Sequence, residues 1–218
     1  MAIFHTRAKA IKSSASAKIE YIARAGKYSY SSKAEDKVYY SENNLPYWAK
    51  NAKDFFSEMD RQEVSKQEKE YNLLSKEEKK VFDSKKIDLN RKVKCREIEF
   101  ALPNELSKEE QIKFTEEYCK EILGDNHVYT FAIHENKGAL SGEKNPHVHL
   151  VYSDRLIEKD KEVKREDFCR QRTGYKKDMD IVGKDRNKWY QETREKLEQK
   201  INNKLEEKGL KERVSAKT

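Results

Sequence analysis

The 218 residues include 47 Lys and Arg against 40 Asp and Glu, for a net charge of +7 with 40% of side chains charged, and the mean hydropathy is −1.12. Such a composition suits one small core with elaborations and argues against two full domains; it offers no apolar run of transmembrane length and no signal-peptide h-region, and it permits a nucleic-acid partner wherever basic residues concentrate. Cys95, Cys119 and Cys169 are odd in number, widely spaced and outside any CxxC pattern, which favours reduced thiols in a soluble intracellular protein over a disulfide framework.

The elements follow in chain order from periodicity and punctuation. Ala2 to Lys9 alternates as a strand, with Phe4 opposite His5 and Arg7. Ala15 to Ala25 reads as a helix closed by Gly26, with Ile19, Ile22 and Ala23 as its buried stripe. Tyr21 lies about 200° from Ile19 at ~100° per residue, off the core face. Lys18, Arg24 and Lys27 surround it with positive charge suited to a phosphodiester, and Tyr28 and Tyr30 follow closely.

Residues 29–48, rich in Ser, Lys, Asn and Tyr, are expected to form a loop that clamps single-stranded DNA, with Tyr39, Tyr40, Tyr47 or Trp48 as stacking platforms. The alternative is a mobile loop whose aromatics pack on the domain. Residues 49–90 read as a charged helical insertion. Cys95 to Leu102 alternates again, Ile98 and Phe100 on one face and Glu97 and Glu99 on the other. Ser107 with Glu110 forms a capping box before a helix over Lys108 to Leu123, closed by Gly124, with Ile112, Tyr118, Ile122 and Leu123 facing the core.

His127 to His134 and Pro146 to Tyr152 complete the strands. Arg165, Arg170, Arg172, Lys176 and Lys177 interleave with Phe168 and Tyr175, as expected for backbone neutralisation plus base stacking. Asn187 to Lys208 reads as a closing helix with Trp189, Leu197, Ile201 and Leu205 at helical spacing. Strands and helices are segregated, so the fold class is α+β, a central antiparallel sheet flanked by helices.

Three of the five histidines gather in one predicted hairpin. His147 and His149 are two apart on a strand and share a face, and turn formers Gly138, Ser141, Gly142 and Asn145 reverse the chain so that His134 returns to them. Three neutral imidazoles at one point make a divalent-metal site with positions left open for substrate. Glu97 and Glu99 point to the same polar face, where either can orient a ligating histidine or help deprotonate Tyr21. That face, carrying His, Glu and Arg together, reads as a working surface. His5 and Arg7 are candidate DNA contacts, whereas His127 merely starts a strand. The residues alone leave three chemistries open: Tyr21 as nucleophile, a metal-activated water with Tyr21 dispensable, or a noncatalytic module around a structural Zn²⁺. The last would need a fourth ligand, and no cysteine has the spacing.

Met1-Ala-Ile-Phe-His5, Tyr21-Ile-Ala-Arg-Ala-Gly-Lys-Tyr28, Glu97-Ile-Glu-Phe-Ala-Leu-Pro-Asn-Glu105, Ala132-Ile-His134 and Asn145-Pro-His-Val-His149 together resemble the MobA/MobL conjugative relaxases, plasmid-mobilisation proteins of the HUH endonuclease superfamily. The blocks run through nearly the whole chain, and residues 187–213 resemble the helix that closes the relaxase domain. The resemblance implies that residues 1–218 are one relaxase domain with an RRM-like core, forming the N-terminal part of a longer protein. It further implies that Tyr21 is the catalytic tyrosine, that His134, His147 and His149 bind one Mn²⁺ or Mg²⁺, and that Glu97, Glu99 and Glu105 occupy acidic positions near the active site.

The implied activity is strand-specific nicking of single-stranded DNA at an origin of transfer, through a 5′-phosphotyrosyl intermediate that is later religated. Implied partners are accessory mobilisation proteins and the type IV secretion coupling machinery. The implied location is the bacterial cytoplasm, on DNA, with passage to the recipient alongside it. Two departures stand out: a longer connection between His134 and His147, and an extra charged stretch over 62–88. Rolling-circle initiators and single-tyrosine transposases share the chemistry, but their tyrosine follows the histidine motif, whereas Tyr21 precedes it.

Overall fold

A computed structural model describes residues 4–30, 36–64, 66–81, 92–137, 144–157, 164–165 and 185–217. Its elements are β1 (Thr6–Ile11), α1 (Ala15–Ala23), β2 (Lys37–Asn43), α2 (Ala52–Gln62), α3 (Lys66–Leu73), α4 (Lys76–Val81), β3 (Cys95–Ala101), α5 (Lys108–Leu123), β4 (His127–Lys137), β5 (Lys144–Leu156) and α6 (Arg186–Glu207). The strands form one five-stranded sheet in the order β1-β3-β5-β4-β2, with every neighbouring pair antiparallel. This is the α+β fold that the segregated strand and helix patterns predict.

Period-two alternation gives the sheet two different faces. On one, Ile98, Phe100, Phe131, Ile133, Val148 and Leu150 pack against Phe114, Tyr118 and Cys119 of α5 and Leu197, Ile201 and Leu205 of α6. The capping box is present: the Ser107 side chain accepts from the Glu110 backbone while Glu110 returns to the Ser107 backbone, which fixes where α5 starts. The α5 stripe differs from the predicted one. Gln111, Phe114 and Thr115 are buried with Tyr118 and Leu123, and Ile112 and Ile122 only flank the cluster. The Gln111 amide is accommodated by donating to the Pro103 and Leu106 carbonyls.

The opposite face, which the sequence marks as a working surface, carries the His134, His147 and His149 cluster at one end. At the other end the small side chains of Val128, Ala132, Val151 and Cys95 leave room for Ile19 and Ile22 of α1 and for Phe55, Phe56 and Met59 of α2, forming a second core. Residues 52–62 are therefore part of the fold, not the beginning of a charged insertion. Their apolar side chains are masked in the sequence by the interleaved charges of Asp54, Glu58, Asp60 and Arg61, of which Glu58 is itself buried. Burying each phenylalanine contributes about 1.5–3 kcal/mol.

Three further boundaries move. The first strand runs Thr6–Ile11, with Phe4 and His5 before it; Ala2 and Ile3 of the predicted strand lie outside the described residues. The helix bearing Tyr21 stops at Ala23, capped by Arg24 in the left-handed region, two residues before the glycine expected to close it. The predicted clamp loop contains β2, whose Lys37–Asn43 pairs with β4 along the sheet edge, so Tyr39 and Tyr40 are strand residues. Tyr39 lies against Phe131 and donates to Glu116 at 2.9 Å.

Candidate active site

Along β4 the site-facing residues change from Val128 and Ala132, in the second core, to His134 near the β4–β5 connection. His134 pairs directly with His147, and His149 sits across from Ala132 on β4 and from Glu99 on β3. Register therefore brings the histidines together, with ring centroids 5.0 to 5.7 Å apart. One ring nitrogen from each lies within 4.8 Å of the others.

Each imidazole has one nitrogen committed to an acceptor. His134 donates from Nε2 to the Ile22 carbonyl at 2.8 Å, His147 from Nδ1 to the Asn145 carbonyl at 2.9 Å, and His149 from Nδ1 to Glu97 Oε1 at 2.8 Å. Those bonds set the tautomers and leave one lone-pair nitrogen per ring. Burial is the main cause that pushes His134 down to about 3; the Ile22 carbonyl opposes it, and the Arg24, His149 and His147 charges add to it. Burial likewise lowers His147 against the pull of the Asn145 carbonyl. Neutral imidazoles each with a lone-pair nitrogen are the donor set a divalent ion needs, so these residues fit a metal; on His134 that nitrogen, Nδ1, accepts from Arg24 Nη2 at 3.2 Å, a bond the ion would displace.

Glu97 is wholly buried and its carboxylate is surrounded: His149 at 2.8 Å, Lys18 Nζ at 2.6 Å and Lys9 Nζ at 2.8 Å. Burial alone would raise its pKa, but the His149 hydrogen bond and the Lys18 ammonium outweigh it and hold the carboxyl at about 2. Glu99 is more open, its Oε2 3.8 Å from His149 Nδ1. Among the described residues Glu97, Glu99 and His149 form a second grouping with metal-ligand spacing, and Glu105 belongs to neither grouping.

Tyr21 projects from α1 over this cluster, its ring centroid 6.0 Å from that of His149 and 5.4 Å from Tyr28. Two cations lie against the ring, Lys18 Nζ from α1 at 4.8 Å and Arg24 Cζ from its C-cap at 4.7 Å. The N-terminus of α1 is fixed from a distance in sequence. Asp60 accepts from Ala15 N and Ser16 N and from the Ser14 and Ser16 hydroxyls, placing a carboxylate at the positive end of the helix.

This constellation coincides with a family match: the model of the MobA/MobL family aligns with residues 6–218. The chain belongs to the MobA/MobL family. Over 160 residues it is 32% identical to the 43 kDa relaxation protein of Salmonella typhimurium, covering 72% of this chain and 36% of that protein. Over 162 residues it is 30% identical to Mobilization protein A of Escherichia coli, covering 72% of this chain and 18% of that one. The chain thus spans about a third and about a fifth of those two relatives. Its fold is shared with a solved structure described as "Molecular Basis of Vancomycin Resistance Transfer in Staphylococcus aureus", with a TM-score of 0.64 at 21% identity over the full length of both chains.

Within this MobA/MobL chain the residues expected to contact DNA are placed unequally. Arg7 and Lys27 are exposed, as is Tyr47. Lys18 is only 14% exposed and is held by Glu97. Arg24 is 6% exposed, and its left-handed φ of 51° costs a residue with a β-carbon about 1–2 kcal/mol. Trp48 stacks on Phe55 at 5.7 Å beneath the Arg165 guanidinium, and Arg165 pairs with Asp54 and Glu58 of α2; both are occupied in holding the chain to α2. Arg170, Arg172, Tyr175 and Lys176 lie outside the described residues.

Lys9, Asp60 and the Ile22 carbonyl are site residues that sequence reasoning missed. Lys9 alternates with Arg7 on the same strand face, a signal that was there to read. Asp60 carried none, because its partners are 44 to 46 residues away. No helix of the described residues is long and apolar enough to cross a membrane.

Proposed function

We propose that this chain is the nicking domain of a plasmid-mobilisation relaxase that cuts and rejoins one strand of DNA at an origin of transfer. The observation that carries the reading is the Tyr21 ring 6.0 Å from the His149 ring, over three imidazoles whose ligand atoms lie within 4.8 Å of one another. A nucleophile and a cation site held on one sheet end are what phosphodiester transesterification requires.

His134, His147 and His149 would hold Mn²⁺ or Mg²⁺, which when bound supplies a Lewis acid to the non-bridging oxygens of the scissile phosphate. The residues of the chain do the rest. The Tyr21 phenol gives up its proton and its oxygen attacks phosphorus. The bond from phosphorus to the 3′ oxygen breaks, and that oxygen takes a proton to leave as a free 3′-OH. The product is a 5′-phosphotyrosyl strand, and the reverse attack by a 3′-OH restores the phosphodiester and the phenol with no external energy.

The two carboxylates divide the labour. Glu97, buried and held near 2 by its partners, is a poor base and orients His149. Glu99, half-buried with an oxygen toward the site, is the carboxylate left to accept the phenolic proton. Glu105 lies outside both groupings. Arg7, Lys27 and Tyr47 are the exposed candidates for strand contacts. Single-stranded DNA is the substrate on this reading, and accessory mobilisation proteins and type IV coupling machinery are the partners, met in the bacterial cytoplasm before transfer with the DNA.

The test is incubation with Mn²⁺ and labelled oligonucleotides spanning a candidate origin, resolved on denaturing gels beside Tyr21→Phe and His147→Ala. A protein-linked band lost in both variants is expected. Cleavage by Tyr21→Phe with no linked band would instead mean that water is the nucleophile.

A further inference from the structure

Arg24 is an unusual way to end a helix. Its φ of 51° and ψ of 43° lie in the left-handed region, where glycine fits best, and the chain does place a glycine, Gly26 at φ 57°, only two residues later. The side chain is 3% exposed, and among the described residues its ion-pair contact is Asp36 Oδ2, 3.9 Å from Nη2. Among the described residues Nε is buried with no hydrogen-bond acceptor. Capping accounts for the backbone, since Arg24 N–H donates to the Tyr21 carbonyl at 3.2 Å and Ala25 N–H to the Glu20 carbonyl at 2.9 Å, the paired bonds of a Schellman helix end, but capping asks for glycine there and gives no reason for a buried guanidinium.

What the guanidinium does touch is the candidate chemistry. Nη1 donates to the Tyr21 carbonyl at 3.1 Å, the Cζ lies 4.7 Å from the Tyr21 ring centroid, and Nη2 is 3.2 Å from His134 Nδ1. The planar fork thereby spans the backbone and ring of one residue and the imidazole of another 110 positions away in the chain. Lys18, also against the ring, makes a second link, to Glu97 and through it to His149, but it does so from a regular helical position within α1.

We propose that Arg24 is a positioning residue for strand cleavage, its guanidinium fixing the Tyr21 ring relative to His134 so that phenol oxygen and histidine cluster keep one geometry. The proposal rests on Tyr21 as nucleophile. The left-handed backbone closes α1, and from that position the Arg24 side chain lies against the Tyr21 ring and the His134 imidazole.

The backbone conformation makes the test discriminating, since Arg24→Gly removes the guanidinium while relieving the strain. The variant is expected to melt at or above the parental temperature and to bind the oligonucleotide within about threefold of the parent. Its single-turnover adduct formation in Mn²⁺ should fall about 100-fold, the loss typical of a misplaced reacting group, and added ethylguanidinium should restore part of it. Arg24→Lys, which keeps the charge without the fork, should also fold and cleave slowly, and it serves if the glycine variant does not fold.

Parental rates in either folded variant would overturn the proposal, leaving Arg24 a helix stop. A loss that tracks weakened oligonucleotide binding would also overturn it, making Arg24 a phosphate contact. Parent and Tyr21→Phe run alongside separate the two levels: no Tyr21-dependent adduct in the parent strikes the nucleophile assignment itself, whereas a Tyr21-dependent adduct with an unimpaired Arg24→Gly strikes only this one.

Discussion

Glu97 accepts the Nδ1 proton of His149 at 2.8 Å from the neighbouring strand, a diagonal contact, since the residue directly opposite His149 is Glu99. The same carboxylate neutralises Lys9 and Lys18, so one buried charge orients a ligand and holds two cations.

Glu97→Gln preserves shape and removes that charge. Mn²⁺ affinity measured by calorimetric titration should fall about 10–100-fold, the usual consequence of losing a partner behind a ligating histidine. Glu97→Ala should in addition destabilise the fold by about 1–3 kcal/mol by leaving the half-buried Lys18 ammonium and His149 Nδ1 without their acceptor. Unchanged Mn²⁺ affinity in a folded Glu97→Gln variant would show that His149 does not depend on this contact.

Acid should weaken the metal-free protein, and the sign follows from both buried groups. An unfolded imidazole takes a proton below 6.5, but burial, with the Arg24, His149 and His147 charges adding to it against the pull of the Ile22 carbonyl, delays protonation of folded His134 to about 3. Unfolding therefore takes up protons as pH drops, and stability declines by up to about 1.4 kcal/mol per pH unit below 6.5 for such a group. Glu97 acts in the same direction, its stabilisation present above 4.5 and lost toward 2. Thermal melts in EDTA should be flat above neutrality and fall steadily below it. A midpoint that rises on acidification to pH 5 would contradict this account.

Asp60→Ala removes the acceptor shared by the Ser14 and Ser16 hydroxyls and the Ala15 and Ser16 amides. A loss of about 2 kcal/mol in urea unfolding is expected. Because the same contact places the helix bearing Tyr21, adduct formation should slow even where the variant remains fully folded. A variant with parental stability would mean that α1 is held by its apolar face alone.

Tyr47 and Trp48 are adjacent and should behave differently. Tyr47 is 69% exposed, so Tyr47→Ala should change stability by less than about 0.5 kcal/mol; if its ring stacks on a base, single-strand affinity falls by about 1–3 kcal/mol. Trp48 stacks on Phe55 at 5.7 Å, and Trp48→Ala should cost about 1–3 kcal/mol of stability. Fluorescence anisotropy with a labelled oligonucleotide, read beside thermal melts, separates the two effects.

By itself the sequence determined whatever short-range periodicity can encode. Alternation assigned Ile98, Phe100, Ile133 and Val148 to the α5/α6 face and Glu97, Glu99, His134 and His149 to the other, and the Ser107–Glu110 pair marked the start of α5. These are properties of neighbours two to four residues apart, and the motif blocks built on them were sufficient to show the MobA/MobL family. The tertiary structure decided what depends on distant segments docking: that α2 completes a second core beneath α1, that Asp60 anchors α1, that Lys9 and Lys18 enclose Glu97, and that Arg24 lies between Tyr21 and His134. The span from Arg24 to His134 is 110 residues, and no local pattern specifies it, because the contact exists only once strand register and helix packing have been fixed by the burial of both cores.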